Sequence, residues 1–425
     1  MDAITLLNIS AILLAFAALF GWLNTMYLKL PLTIGLMLIA LLASLAVTGI
    51  DAAFDLGYAA RARDALSRID FHDSLMIGML HLLLFAGALH TDLDSLLRYK
   101  WHILLMATVG VIVSTFFIGF VTYWLLGLLG FPVPLIWCLV FGSLISPTDP
   151  VAVLSIIRTL TVPKALQTKI AGESLFNDGI GVVVFLALLG IATSGTGHVE
   201  PAEIGKLLFE EVVIGVLIGL ALGYVAFLAM RRIDDYVVEV IISLALVMGI
   251  YALCTWVHAS GPLAVVIAGL FIGNHGSRLA MSQVTQEHLV KFWELIDEIL
   301  NAVLFLLIGF ELLVIPFSPD LVLLVLLIIP VVLLGRTLAV SLPTWLIRTR
   351  GGTVERGAIP VLIWGGLRGG ISVALALSLP EFEGRQAVLA MTYGVVVFSI
   401  LVQGLTVQSV IARSLAPDPD AVREN

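Results

Sequence analysis

The sequence predicts an all-α polytopic membrane protein of about thirteen transmembrane helices, built as six-helix repeats of inverted topology with two broken, crossing helices. Three observations carry this. Of 425 residues, 60% are hydrophobic and 12% are charged, about half the charged share of a soluble protein, and the mean hydropathy is +1.10. Apolar runs long enough to cross a bilayer recur along the whole chain. Two of them carry polar interruptions at equivalent places in the two halves: Ser146-Pro147-Thr148-Asp149-Pro150 and Gly365-Gly366-Leu367-Arg368-Gly369-Gly370.

Composition excludes several classes. The formal net charge is −8 at pH 7, and no basic run offers a surface for nucleic acid. Cys138 and Cys254 both lie in apolar spans, so neither a disulfide framework nor a metal-ligand spacing can be built from them. No cofactor is expected. The first run, Ile4 to Leu23, follows Met1-Asp2 with no basic segment before it, which favours a retained helix over a cleaved signal.

In order, the runs fall at about 4–24, 32–50, 73–90, 102–128, 133–157, 165–193, 207–229, 237–257, 261–276, 293–315, 320–347, 357–379 and 386–412. The ninth is short for a span, and the longest interruptions are Asp51 to His72 and the link after Thr193. Basic residues test the layout. With the N-terminus outside, only Arg61, Arg63, Arg68, Lys206 and Arg385 of the 22 lysines and arginines fall outside, while Arg336 and Arg368 lie within spans. All the others fall inside, as the positive-inside rule asks. This reading places a multi-pass protein in the cell inner membrane with a cytoplasmic C-terminus. Thirteen divides into a first repeat at 1–193, a linking helix at 207–229, a second repeat at 237–412 and a short cytoplasmic tail at 413–425. Repeats that start on opposite sides are the usual build of a secondary transporter.

The fifth helix holds the first break. Pro147 and Pro150 lack backbone donors, so carbonyls around Ser146 to Thr148 are freed to coordinate a cation, together with the Thr148 hydroxyl. Pro150 suits the opening of a second half-helix. Asp149 before it suits a cap against the positive end of the dipole, a supporting role more than an ion carrier. In helix twelve, Arg368 suits the opposite job of neutralising carbonyl-rich helix ends. Prolines and glycines can merely kink or pack membrane helices, but two breaks in register, each with a charge, point to a site.

Helix six carries Gly172-Glu173-Ser174-Leu175-Phe176-Asn177-Asp178-Gly179. In a soluble protein Asn-Asp-Gly would read as a surface turn; here the flanks continue as apolar helix. Ser174 and Asp178 share one face, Glu173 and Asn177 the adjacent one. A carboxylate at that depth costs a few kcal/mol or more unless solvated. Asp178, Ser174 and the Thr148 region can supply oxygen ligands to a hard monovalent cation, and Asp178 can instead hold a proton. A group that takes one or the other suffices for exchange. Arg336 is the only basic residue in helix eleven, and Glu173–Arg336 reads as a buried structural pair.

These segments, with Ser260-Gly-Pro-Leu-Ala-Val-Val-Ile-Ala-Gly269 and the stretch from Phe292-Trp293-Glu294 through Asn301 to Gly309, resemble the sodium/proton antiporters of the NhaP/NHE type. The resemblance implies the thirteen-helix inverted-repeat fold, a homodimer in the lipid bilayer and elevator-like alternating access. It implies ion-site roles for Thr148, Ser174 and Asp178, with Asn177 beside them and Glu173 paired to an arginine. The transported ions would be Na+ or Li+ against H+, with a K+/H+ antiporter of the same fold as the alternative. One departure stands out. Many prokaryotic members carry a glutamate after Leu-Leu-Phe in helix three, where this chain has Leu83-Leu84-Phe85-Ala86. With Asn177 before Asp178 in place of a second aspartate, the exchange is expected to be electroneutral. His81 and His90 in the same helix read as packed or interfacial; Glu294, Asp297 and Glu298 read as an inner-surface cluster, and Glu311 has no assigned role.

Two other classes fit less well. A channel filter needs a repeated ring of carbonyls or charges, and the two breaks are unlike. An intramembrane aspartyl protease needs two acids sharing a proton, and Asp149 and Asp178 differ too much in context.

Overall fold

The computed structural model describes residues 3–54, 57, 61, 78–149, 153–154, 157, 160, 162–193, 201–311, 319–351, 354–355 and 357–415. Pro150, most of the half-helix expected after it, the link at 194–200, most of the 51–72 interruption and the tail beyond Leu415 lie outside the described residues.

The regular elements among the described residues are helical apart from an isolated antiparallel pairing of Asp149 with Leu367. The first half holds α1 (Ala3–Leu23), α2 (Leu32–Phe54), α3 (Leu80–Leu89), α4 (Leu93–Arg98), α5 (Lys100–Leu128), α6 (Leu135–Leu144) and α7 (Lys164–Thr193). After α8 (Pro201–Met230) come α9 (Tyr236–Val257), α10 (Gly261–Gly276), α11 (Gln283–Glu311), α12 (Pro319–Thr349), α13 (Ala358–Trp364), α14 (Gly370–Leu377) and α15 (Arg385–Ser414). Eight described stretches, in α1, α2, α5, α7, α8, α9, α12 and α15, are long and apolar enough to cross a membrane; α3, α6 and α10 are shorter apolar helices. The chain is an all-helical polytopic membrane protein.

Local chemistry explains the helix ends. Asp92 Oδ2 accepts from the Ser95 amide at 3.0 Å and starts α4, while Asp235 Oδ1 accepts from Val237 N at 2.9 Å and starts α9, the usual work of an N-cap. Pro262 sits in the first turn of α10, where a missing amide costs nothing. α11 differs from its sequence outline. Its apolar run begins near 293, yet the helix starts at Gln283, with Ser282 Oγ accepting from Thr285 N at 3.3 Å. Hydropathy marks the depth of a membrane, not the length of a helix, so the polar first turns went unseen. α5 and α15 each contain one wide π-type turn, Met106–Gly110 and Ser399–Gln403.

Two apolar clusters divide the molecule. The larger joins α5, α6, α7 and α12 to α15 with α2 and the second half of α11. The other joins α3, α8, α9 and α10 with Leu289 and Trp293 from the first half of α11. A small third cluster, including Leu80 and Leu84 of α3, Leu175 of α7 and Val266 and Leu270 of α10, lies where α7 meets the second group. α7 therefore has one apolar face toward α3 and α10 and its polar residues toward α5, α6 and α12.

Candidate functional site

Both interruptions predicted from proline and glycine are breaks in the helical path. α6 ends at Leu144, and Ser146 to Thr148 run on without helix. α13 ends at Trp364 and α14 begins at Gly370. The two irregular segments meet directly: Asp149 N donates to Leu367 O at 2.8 Å. Irregular backbone at this depth is tolerated only where protein or a water-lined cavity satisfies it, and here each break satisfies part of the other.

Two glycines make the approach possible. A side chain at Gly366 would collide with the Arg336 guanidinium, and one at Gly369 with the Asp149 carboxylate. The glycine-rich stretch is thus room for charges as well as a helix break.

Arg368, 2% exposed, reaches across from the second break to the first. Its Nη1 donates to Ser146 O and to Pro147 O, the latter at 2.8 Å. These are two of the carbonyls that the sequence leaves free for a cation. They are already engaged, which shifts the weight of coordination to side-chain oxygens. The half-helix that Asp149 is expected to cap lies outside the described residues.

α7 presents the remaining groups. Arg336 on α12 holds Glu173 by two hydrogen bonds, Nη1 to Oε1 and Nη2 to Oε2 at 3.1 Å. The same guanidinium donates to Leu362 O from Nε at 3.2 Å and from Nη2 at 2.7 Å. Thr148 meets the next face of α7. Its Oγ1 lies 3.1 Å from Ser174 Oγ and accepts from Asn177 Nδ2 at 2.8 Å, and its amide donates to Asn177 Oδ1 at 3.3 Å. Asp178, one turn beyond Ser174, is buried with 6% exposure. It interacts electrostatically with Asp149 and Arg368, but no described group donates a hydrogen bond to its carboxylate. The structure thus joins Thr148, Ser174 and Asn177 by hydrogen bonds, leaves Asp178 one turn along α7 from Ser174, and turns Glu173 to Arg336 instead.

Other residues singled out in the sequence lie apart. His81 packs edge-on to the Tyr251 ring at 4.7 Å, His90 is exposed with Nδ1 2.6 Å from Ala86 O, and Ala86 is fully buried. Asn301 Nδ2 donates to Asp297 Oδ1 at 3.1 Å. Glu311 closes α11, partly buried.

Sequence reasoning missed two features. Lys169, almost fully buried on α7, donates to both carboxylate oxygens of Glu355 at 2.9 and 2.6 Å and lies 4.9 Å from the Tyr99 ring centroid. Burial works to raise the Glu355 carboxyl, yet its hydrogen bonds and the Lys169 charge hold it below its ordinary value of 4.5. Ser399 and Gln403 of α15 bond to the second break. Lys169 falls within the predicted 165–193 run although it counts with the inner-side charges, and that overlap was a visible signal for the first; two neutral polar residues gave none for the second.

Known proteins resemble this chain along nearly its whole length. Residues 12–413 match the family model described as sodium/hydrogen exchanger, transmembrane. The chain is 48% identical to the Na(+)/H(+) antiporter NhaP of Pseudomonas aeruginosa, covering 97% of this chain and 98% of that protein. It is 36% identical to the Na(+)/H(+) antiporter NhaH of Halobacillus aidingensis, with 96% of each covered. In structure it superposes on the sodium proton antiporter MjNhaP1 of Methanocaldococcus jannaschii at pH 8 with a TM-score of 0.76 over 98% of this chain and 100% of that one, at 17% identity, which shows a shared fold. The relatives are transporters rather than enzymes. With a family match across nearly its whole length, this chain belongs to the sodium/hydrogen exchanger family.

Proposed function

We propose that the protein exchanges one monovalent cation, sodium first, for one proton, with Asp178 as the group that carries either. The observation that carries this reading is the contrast within α7: Glu173 is clamped by Arg336, while Asp178, one turn from Ser174 on the same face and within the field of Asp149 and Arg368, is buried with no described hydrogen-bond donor. Thr148 Oγ1, Ser174 Oγ and the Asp178 carboxylate supply hard oxygen ligands, and Asn177 orients Thr148 from behind. Asp149, Glu173 and Arg368 are supporting charges.

Charge balance supports one-for-one exchange. Around the breaks stand three carboxylates (Asp149, Glu173, Asp178) and two guanidiniums (Arg336, Arg368), which leaves one negative charge. One proton or one cation neutralises it. The empty, charged core then faces the highest barrier to movement through an apolar surround, so translocation is tied to occupancy. Ala86 and Asn177 offer no second carboxylate beside Asp178.

In this reading the fold comprises thirteen spans as two inverted six-helix repeats about α8, with the fifth and twelfth helices broken. The chain works as a homodimer in the cell inner membrane, N-terminus outside, and serves pH and sodium homeostasis. The group of helices carrying the breaks moves as a unit against the group built on α3, α8, α9 and α10, across the small apolar cluster at Leu175, Val266 and Leu270.

The test is dequenching of a trapped pH dye in proteoliposomes, with sodium, lithium and potassium offered in turn. Sodium-driven proton flux that ignores a potential set by valinomycin supports the reading. Flux with potassium alone moves the protein to K+/H+ exchange, voltage-dependent flux breaks the one-for-one cycle, and uncoupled conduction makes it a channel.

A further inference from the structure

The wide turn in α15 places two neutral polar side chains against the break that carries Arg368. Ser399 is 1% exposed and Gln403 3%, so neither has a role at a surface. Ser399 Oγ accepts from the Arg368 amide at 2.9 Å and donates to Gln403 Oε1 at 2.8 Å. Gln403 Nε2 donates to Trp364 O at 3.3 Å, the last residue of α13. The three bonds close a ring from one end of the break to the arginine within it. A regular helix would already hold this spacing through its own ladder; a five-residue interruption has lost that ladder, and side chains must replace it. The Ser399–Gln403 turn is of the wide kind that concentrates at functional sites, and its register aims both side chains at the break.

We propose that Ser399 and Gln403 are positioning residues for cation exchange, holding Arg368 on the Ser146 and Pro147 carbonyls. Neither touches the carried ion. They act through Arg368, whose guanidinium fixes the end of α6 and so the place of Thr148, two residues beyond Ser146. A small cavity lined by Arg336, Gly366, Arg368 and Gln403 lies beside the ring, so packing does not fully hold the arginine once the hydrogen bonds are lost. Drift would loosen the first break and spread Thr148 from Ser174, weakening the oxygen cage around the cation.

This inference rests on the exchange reading above, and the experiment separates the two. Wild type, Ser399→Ala, Ser399→Thr and Gln403→Met are compared in proteoliposomes at pH 8.5 for sodium KM and for maximal proton flux per folded protein. Ser399→Ala and Gln403→Met are expected to raise KM by roughly three- to tenfold, the factor carried by one net hydrogen bond. Ser399→Thr keeps the hydroxyl and is expected to restore KM toward wild type. Gln403→Met keeps volume, so it serves if Ser399→Ala folds poorly. Unchanged KM in both bond-deleting variants, or an equal rise with Ser399→Thr, overturns the positioning role while leaving exchange intact. A wild-type protein that moves no protons with any cation overturns the exchange reading instead.

Discussion

Glu173 and Asp178 sit five positions apart on one helix and live in opposite environments. At 3.6 residues per turn they point about 140° apart, one toward α12 and the other toward the breaks. Glu173 meets a guanidinium in a two-pronged pair that also binds Leu362 O. Asp178 has no described hydrogen-bond donor, and its charge is felt by Asp149 and Arg368 across space. The lesson is that burial alone does not make a carboxylate a carrier. A carboxylate whose lone pairs are all taken is fixed; one left beside neutral oxygens can alternate between a proton and a cation.

The largest effect that could break this comparison is at Asp178. Asp178→Asn keeps size and most packing but cannot change charge. Sodium-driven proton flux is expected to vanish from pH 6 to 9 while the protein purifies folded, and flux at any pH in that range would move the carrier elsewhere.

Next comes the pair. Glu173→Gln and Arg336→Gln each leave an uncompensated buried charge, a loss of about 3–5 kcal/mol, read as lower thermal stability in detergent. The double variant is expected to recover part of that loss. Strictly additive losses would mean that Glu173 is as unconstrained as Asp178, and the contrast would collapse.

Thr148 sharpens the contrast at smaller scale. Thr148→Val preserves shape and removes the hydroxyl that bonds Ser174 and Asn177. Sodium KM is expected to rise by roughly tenfold, about 1.4 kcal/mol, with little change in melting temperature. A fall in stability without a change in KM would make Thr148 a packing residue.

Much of this was legible beforehand, for identifiable reasons. The helices announce themselves because apolar side chains must face lipid, and the breaks because proline and glycine cannot sustain a ladder. A deep Glu173 and a single arginine, Arg336, in separate apolar spans require partners, which narrows the choice to very few. The engagement of the Ser146 and Pro147 carbonyls by Arg368 was not legible, since one arginine has many carbonyls within reach of its break. Ser399 and Gln403 were silent for another cause: a neutral polar residue in a membrane helix commonly satisfies itself on its own backbone, as Thr392 does on Val388 O at 2.8 Å. Nothing in the sequence says when it does not.

The smallest expected effect concerns a third carboxylate, intermediate between the two. Glu355 lies in the loop between α12 and α13, 28% exposed at its side chain, and binds Lys169 at the start of α7. It is paired like Glu173 but reaches water, so its pairing is worth about 1 kcal/mol, near the upper end for exposed ion pairs. Its carboxyl is held below its ordinary 4.5 in the folded protein by the Lys169 contacts, which outweigh burial. A depressed folded value means that the stabilisation is complete above about 4.5 and is lost as pH falls through the lower, folded value. Glu355→Gln removes both the pair and its titration. In detergent the variant is expected to melt below wild type at pH 6 to 7, with the gap closing as pH drops beneath 4.5. A gap that stays constant down to pH 3 would mean that Glu355 contributes shape and not charge, and that only the fully buried carboxylates of α7 carry the electrostatics of this end of the helix.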